Sequence, residues 1–379
     1  MDLSQIPVID SHCHPYPPDQ QEITAQRLRD ALSVSLRGET PAENESMLLV
    51  RMALRELAKL LDCPRNWAAV IESRNQRVRA SRTDYLELLW QDANIGAMLI
   101  DPGYPLDQPI TRQEFASIIP AEIFEGYRIE RFFAAESFHA PEYRSIHDLV
   151  EAFRARLDEE ARSPGVRFFK SVIAYRTGLA IEKVSESAAI AAWDDHQIYG
   201  DPADKILRDF LFWIAAEKAS EHDLPFQVHT GHTSHINLWP NVNPILLTPL
   251  LNEPEMQETR FVLVHAGYPY CTEAGYMTSV YPNLMLDLSL MIPWSSIGIA
   301  NRIEQTLESG PTSKIMYGSD GIQVPELYWI SAKIGRRALA QVLDKLIENQ
   351  TIDSDEATEI AEAILYRNAE RCYGISIDA

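Results

Sequence analysis

Residues 260–267 read RFVLVHAG: a short run of apolar residues, a histidine, then a glycine-containing loop. The same plan recurs in PFQVHTG at 225–231 and, ending in a carboxylate, in KIMYGSD at 314–320. Working outward, further runs appear in VID at 8, AMLID at 97, RIERFFAA at 128, VRFFKSVIAY at 166 and NLMLDLSL at 283, each followed by loop residues and a helical pattern. Strands buried on both faces read as continuous apolar runs rather than alternating ones. Eight such runs interleaved with helices predict an α/β fold, a closed parallel (β/α)8 TIM barrel.

The interval between the first and second runs, about residues 20 to 95, is longer than a crossover needs. Stretches such as ESMLLVRMALRELAKLLD (45–62) repeat apolar residues at helical spacing. We read a helical insertion after the first strand, within one domain covering 1–379. A small separate helical domain is the alternative. Two further helices are legible. DPADKILRDFLFWIAAEKASEHD (201–223) opens with an Asp-Pro cap and carries a stripe through Leu207, Phe210, Leu211 and Ile214. SDEATEIAEAILYRNAERCYG (354–374) has Ser354 as N-cap and Gly374 as stop, and is expected to pack outside the barrel.

Bulk properties exclude several classes. The chain has 379 residues, 46% hydrophobic and 23% charged, which suits a folded protein with a large core. The net charge of −21 opposes nucleic acid and anionic lipid surfaces as partners. Four scattered cysteines form no C-x-x-C pair, so neither a zinc knuckle nor a disulfide framework is indicated. The N-terminus MDLSQIPVID has no signal-peptide pattern, and no run approaches the roughly 18 apolar residues of a membrane span. A cytoplasmic protein acting on a small molecule is expected, with no membrane partner.

In a parallel barrel, side chains at the C-terminal strand ends converge even when distant in sequence. His12 and His14 close the first run, His229 the fifth, His265 the sixth and Asp320 the eighth. Residues two apart on a strand point the same way, so His12 and His14 can reach one ion. His12, His14, His229 and Asp320 are therefore candidate metal ligands. A nitrogen-rich site with one carboxylate suits zinc, with iron, manganese and nickel open on ligand type. Asp320 can bind the ion through one oxygen and move a proton with the other. Cys13, between two candidate ligands, should point the opposite way.

DSHCH (10–14), FFKSVIAYRTGL (168–179), PFQVHTG, LVHAGYPY (263–270) and YGSDG (317–321) together resemble the amidohydrolase superfamily of metal-dependent barrel enzymes. The stretches 264–290 and 318–333 resemble the branch that includes nodulin- and FluG-type N-terminal domains, some fused to a glutamine synthetase-like domain. The resemblance implies His12, His14 and His229 as ligands, Asp320 as metal-bound base, and His265 beside the metal as a catalytic residue. Binuclear members use that histidine on a second ion, bridged by a carbamylated lysine, and Lys170 stands where such a lysine could stand. We favour one ion over two, with Lys170 unmodified and reaching the substrate or a carboxylate. Arg176 is a candidate clamp for a substrate carboxylate, a structural salt bridge being the alternative. His232 and His235 lie in the loop after the fifth run, HTGHTSHINLWP, with His232 a candidate substrate contact.

The implied activity is hydrolysis of a C–N amide bond in a small polar substrate, with a γ-glutamyl amide as the class suggested by the fused relatives. A nonoxidative decarboxylase is the alternative within the superfamily, and a non-catalytic barrel serving as a scaffold is the alternative outside enzymology. The insertion is a candidate lid or dimer contact, which leaves homo-oligomerisation open.

Overall fold

The structure, a computed structural model, describes residues 1–17, 22–33, 41–104, 110–133, 143–199, 204–232 and 236–377. Eight strands form its centre: β1 Val8–Cys13, β2 Ile95–Ile100, β3 Glu122–Arg128, β4 Val166–Ser171, β5 Phe226–His229, β6 Phe261–Val264, β7 Leu284–Asp287 and β8 Ile315–Met316. Each pairs in parallel with the next in sequence order. The seam between last and first is closed by backbone bonds beyond β8. Ser11 N–H donates to Tyr317 O at 3.1 Å, His14 N–H to Gly321 O at 2.8 Å, and Asp320 N–H to His12 O at 2.9 Å. This is the (β/α)8 barrel expected from the apolar runs.

The third strand is the one misplaced by the sequence reading. It lies at Glu122–Arg128, and Ile129–Arg131, inside the expected run, form a single 3-10 turn. Two glutamates and a glycine disguise EIFEGYR as a loop. Glu125 is half-buried with Arg112 3.5 Å away, and a side chain at Gly126 would overlap the Phe168 ring of β4. Phe132 then packs on Phe153 of the helix Ile146–Ala161, with ring centroids 5.0 Å apart.

Among the described residues between β1 and β2 stand five helices: Ala25–Ala31, Pro41–Ser46, Leu48–Leu60, Trp67–Ala80 and Arg82–Ala93. Three open on polar caps, where Thr24, Asn66 and Ser81 side chains accept backbone N–H groups that have no helical partner. Arg82–Ala93 ends at left-handed Asn94 and leads directly into β2, so it is the crossover helix that a parallel pair requires. It packs with Trp67–Ala80 against the long helix Pro325–Glu348, where buried Glu326 accepts from Arg74 at 2.9 Å and Tyr85 at 2.8 Å.

The stripe on helix Asp204–Glu221 faces inward, with Leu207, Leu211 and Ile214 buried and Phe210 half-buried; its expected Asp-Pro cap lies outside the described residues. Helix Ser354–Glu362 is capped by Asp353 rather than Ser354, because Asp353 forms a reciprocal capping box with Glu356. The terminal helix Asn368–Tyr373 also differs from expectation. It does not lie outside the barrel but closes the end opposite the histidines, where Ala369, Cys372 and Tyr373 join Ile9, Leu99, Phe168 and Val262 in one apolar cluster. Gln227 of β5 donates to the Tyr373 hydroxyl at 2.8 Å there. Among the described residues, no helix is long and apolar enough to cross a membrane.

Candidate metal centre

The orientation of His12 depends on an irregularity in β1. Ile9 belongs to the cluster inside the barrel, and Ser11 also turns inward, donating to Asp287 across the interior. Strict alternation would then turn His12 outward. The pairing with β2 shifts register between Asp10 and Cys13, and this resets the phase. His12 and His14 both face the interior, with ring centroids 5.2 Å apart, while Cys13 turns toward Leu99 O at 3.7 Å.

Around them the other strand ends converge. His12 Nε2 and His14 Nε2 lie 3.5 and 3.3 Å from Asp320 Oδ1. His265 stands 5.3 Å from His12 by ring centroid, and its Nε2 is 3.0 Å from His229 Nδ1. Lys170 Nζ approaches His12 Nε2 at 3.5 Å. His229 Nε2 meets the backbone carbonyl of His232 at 2.8 Å, and half-buried Arg176 sits on the turn after β4. His235 lies outside the described residues. Among the described residues, two groups have ligand atoms within 4.8 Å of one another: His12, His265 and Asp320, and His12, His14 and Asp101. His229 is in neither group and reaches the cluster through His265.

Burial sets the charge of these groups. Desolvation, then the nearby Lys170 charge, holds His12 and His229 well below the ordinary imidazole value; desolvation, then His229 and Lys170, does the same for His265. Burial also depresses His232, and brings the Lys170 amine down to about 8. Neutral imidazoles are the form that binds metal. His12 Nδ1 is buried with no hydrogen-bond partner, while His14 Nδ1 meets Asp101 O at 2.9 Å, which leaves its Nε2 as a lone pair toward the Asp320 side. Neutral imidazole nitrogens of His12 and His265 within 4.8 Å of the Asp320 carboxylate fit a divalent ion.

The amidohydrolase family model matches residues 124–375. This chain belongs to the amidohydrolase family. An alignment of 239 residues is 32% identical to FluG of Emericella nidulans and covers 59% of this chain, but only 27% of FluG. In fold, this amidohydrolase is similar to a protein of Lactobacillus casei provisionally assigned as a metal-dependent hydrolase (TM-score 0.84, 24% identity, 98% of this chain and 96% of that one). Uronate isomerase of Thermotoga maritima is a more distant likeness (TM-score 0.67, 13% identity, 98% and 95% covered). Both are likenesses of fold alone.

Beneath the histidines, the amidohydrolase barrel holds buried acids that the sequence reading passed over. Asp10 accepts from Ser319 N–H at 2.8 Å and its hydroxyl at 2.5 Å; Ser319 in turn accepts from Gly321 N–H at 2.8 Å. Asp320 is thereby fixed between two tethered neighbours, in a left-handed conformation (φ 52°) that a non-glycine residue adopts at a cost of ~1–3 kcal/mol. His265 is left-handed too (φ 76°), and its N–H donates to Asp287 at 3.2 Å. Gly318 has a separate purpose, since a side chain there would occupy the place of the Asp287 carboxylate.

Asp101 accepts from Arg128 Nη2 at 2.6 Å and Nε at 3.0 Å; burial alone would raise its carboxyl, but the guanidinium brings it down to about 2. Tyr175, whose ring centre is 4.1 Å from that of His229, and Tyr104, 5.6 Å from His14, are further neighbours missed by sequence. A carboxylate inside an apolar strand was the available signal for Asp10 and Asp287, because such a group is costly to bury unless partnered. The tyrosines carried no comparable signal.

Proposed function

We propose that this amidohydrolase hydrolyses a C–N amide bond in a small polar substrate, at a site holding one divalent ion, zinc in preference to manganese, iron or nickel. The observation that carries this reading is the approach of His12 and His14 to the same oxygen of Asp320, at 3.5 and 3.3 Å. His12, His14, His229 and Asp320 would hold the ion, which when bound supplies Lewis acidity and lowers the pKa of a water molecule. Asp320 takes a proton from the attacking water as the carbon–oxygen bond forms. It returns that proton to the leaving nitrogen as the C–N bond breaks. His265 orients or polarises the attacked carbonyl. Lys170, as an unmodified amine, and Arg176 contact polar groups of the substrate, and His232 stands at the same wall. γ-Glutamyl amides are the first class to test, because the resembled branch includes fusions to a glutamine synthetase-like domain.

A second reading, nonoxidative decarboxylation, is favoured by one observation: the buried Lys170 amine lies 3.5 Å from His12 Nε2, where a substrate carboxylate would find it. Incubation with candidate amides and candidate aromatic acids, assayed for amine and for CO2, separates the two. Amine without CO2 is expected. A protein that binds none of the four metals on titration overturns both readings and leaves the scaffold alternative. The proposal keeps a cytoplasmic setting and a small-molecule partner, without nucleic acid or membrane; sedimentation tests self-association through the insertion.

A further inference from the structure

The end of β1 runs out of backbone donors just where His14 stands. Pro15 has no N–H, so the strand ladder cannot continue past it. Both peptide groups of His14 are held instead by the chain that follows β8. His14 N–H donates to Gly321 O at 2.8 Å, and His14 O accepts from the Tyr328 hydroxyl. The Tyr328 ring also lies against the residue after Asp320, since a Cβ at Gly321 would stand 2.4 Å from its Cδ1. One fully buried tyrosine therefore touches both flanks of the candidate centre.

Tyr328 is near the start of helix Pro325–Glu348, and that start is gripped by two helices from between β1 and β2. Glu326 accepts from Arg74 at 2.9 Å and from Tyr85 at 2.8 Å, Trp329 donates to Asp92 at 2.6 Å, and the Trp90 ring centre is 6.0 Å from that of Tyr328. Arg74 and Glu326 are both buried, and parting a buried ion pair is strongly destabilising because each charge is left uncompensated. A lid made of these helices would have to break that pair at every opening.

We infer that Tyr328 is a positioning residue that fixes the His14 backbone to the Asp320 loop, and that helices Trp67–Ala80 and Arg82–Ala93 are a fixed brace for it rather than a lid. The link rests on hydrogen bonds and packing alone; its effect on metal affinity rests on the proposed function.

Amide hydrogen exchange of the metal-free protein, followed peptide by peptide, tests the link. Tyr328→Phe removes the hydroxyl and keeps the ring. Peptides spanning 8–16 and 315–323 should then exchange about 10-fold faster, the equivalent of one net hydrogen bond, while β5 and β6 keep their wild-type rates. On titration Zn2+ or Co2+ should bind about 10-fold more weakly, the lower end for losing a ligand's outer partner. Bound Co2+ should show altered visible bands, which a loss of stability alone would leave unchanged. Tyr85→Phe, which loosens Glu326 from the brace, should move exchange and affinity in the same direction by about 3-fold. Exchange that quickens equally in every strand, or not at all at the seam, overturns the inference. So does a folded Tyr328→Phe protein with unchanged affinity and Co2+ spectrum. A Tyr85→Phe protein indistinguishable from wild type overturns the brace, and this variant carries the test should Tyr328→Phe fail to fold. Wild-type protein that binds no metal instead defeats the proposed function, and the exchange rates still decide the link.

Discussion

The two ends of the barrel are made from the same eight strands and opposite materials. At one end Ile9, Leu99, Phe168 and Val262 pack against Tyr373 from the terminal helix, and Gln227 donates to the Tyr373 hydroxyl there. At the other end, four histidines, a lysine and a carboxylate crowd together, two of them on left-handed backbone. The apolar end lowers the free energy of the fold, whereas the polar end raises it and concentrates chemistry. Substitutions at the two ends should therefore fail in different ways.

The largest expected effect is at the polar end. Asp320→Asn should lower turnover by about 10²–10⁴-fold, as for loss of a general acid–base group, while retaining the fold and part of the metal affinity. His12→Ala should lower both turnover and affinity; amine release and metal titration distinguish the two variants. At the apolar end, Tyr373→Ala removes a buried ring and leaves Gln227 short of an acceptor. A loss of ~3–5 kcal/mol is expected in urea unfolding, with metal affinity unchanged. Equal damage to affinity would erase the contrast.

Next in size is the ion itself. At 100 times its dissociation constant it should stabilise the fold by about 2.7 kcal/mol, and chelation should reverse the rise in melting temperature. A last effect concerns pH in the metal-free protein. His12, His229 and His265 are held below the ordinary imidazole value when folded. Below about pH 6.5 the unfolded chain therefore takes up protons that the folded chain refuses. Stability is intact above that pH and falls as pH falls, approaching ~1.4 kcal/mol per histidine per pH unit until the folded histidines also titrate. Denaturant midpoints between pH 5 and 7, with and without metal, measure this. The metal-bound form should resist acid further.

Much of this contrast was legible in the sequence, for reasons that also explain the gaps. Continuous apolar runs revealed seven strands because burial on both faces leaves that pattern. β3 escaped because Glu122 and Glu125 are tolerated at its start, and Gly126 is required by the Phe168 ring rather than by a turn. His12, His14, His229, His265 and Asp320 were found because each terminates a run. The register shift in β1 was not visible, although it is what lets Ser11 and His12 face inward together. Asp10 and Asp287 were passed over because a lone acid beside apolar residues gives no hint of its partners, which arrive from strands far away in sequence. The cap at Asp353 was missed by one position, since Asp353 and Ser354 are both good capping residues.

The seam between β1 and residues 317–321 joins parts of the chain 306 residues apart, and the candidate centre straddles it, with His12 and His14 on one side and Asp320 on the other. Loop-closure entropy makes such a contact expensive to form early. A chain that has not closed the ring owns only half of the donors. Metal uptake therefore doubles as a clock for the last stage of folding, and rapid-mixing refolding with a chromogenic ion should show colour developing no sooner than the final rise in tertiary structure.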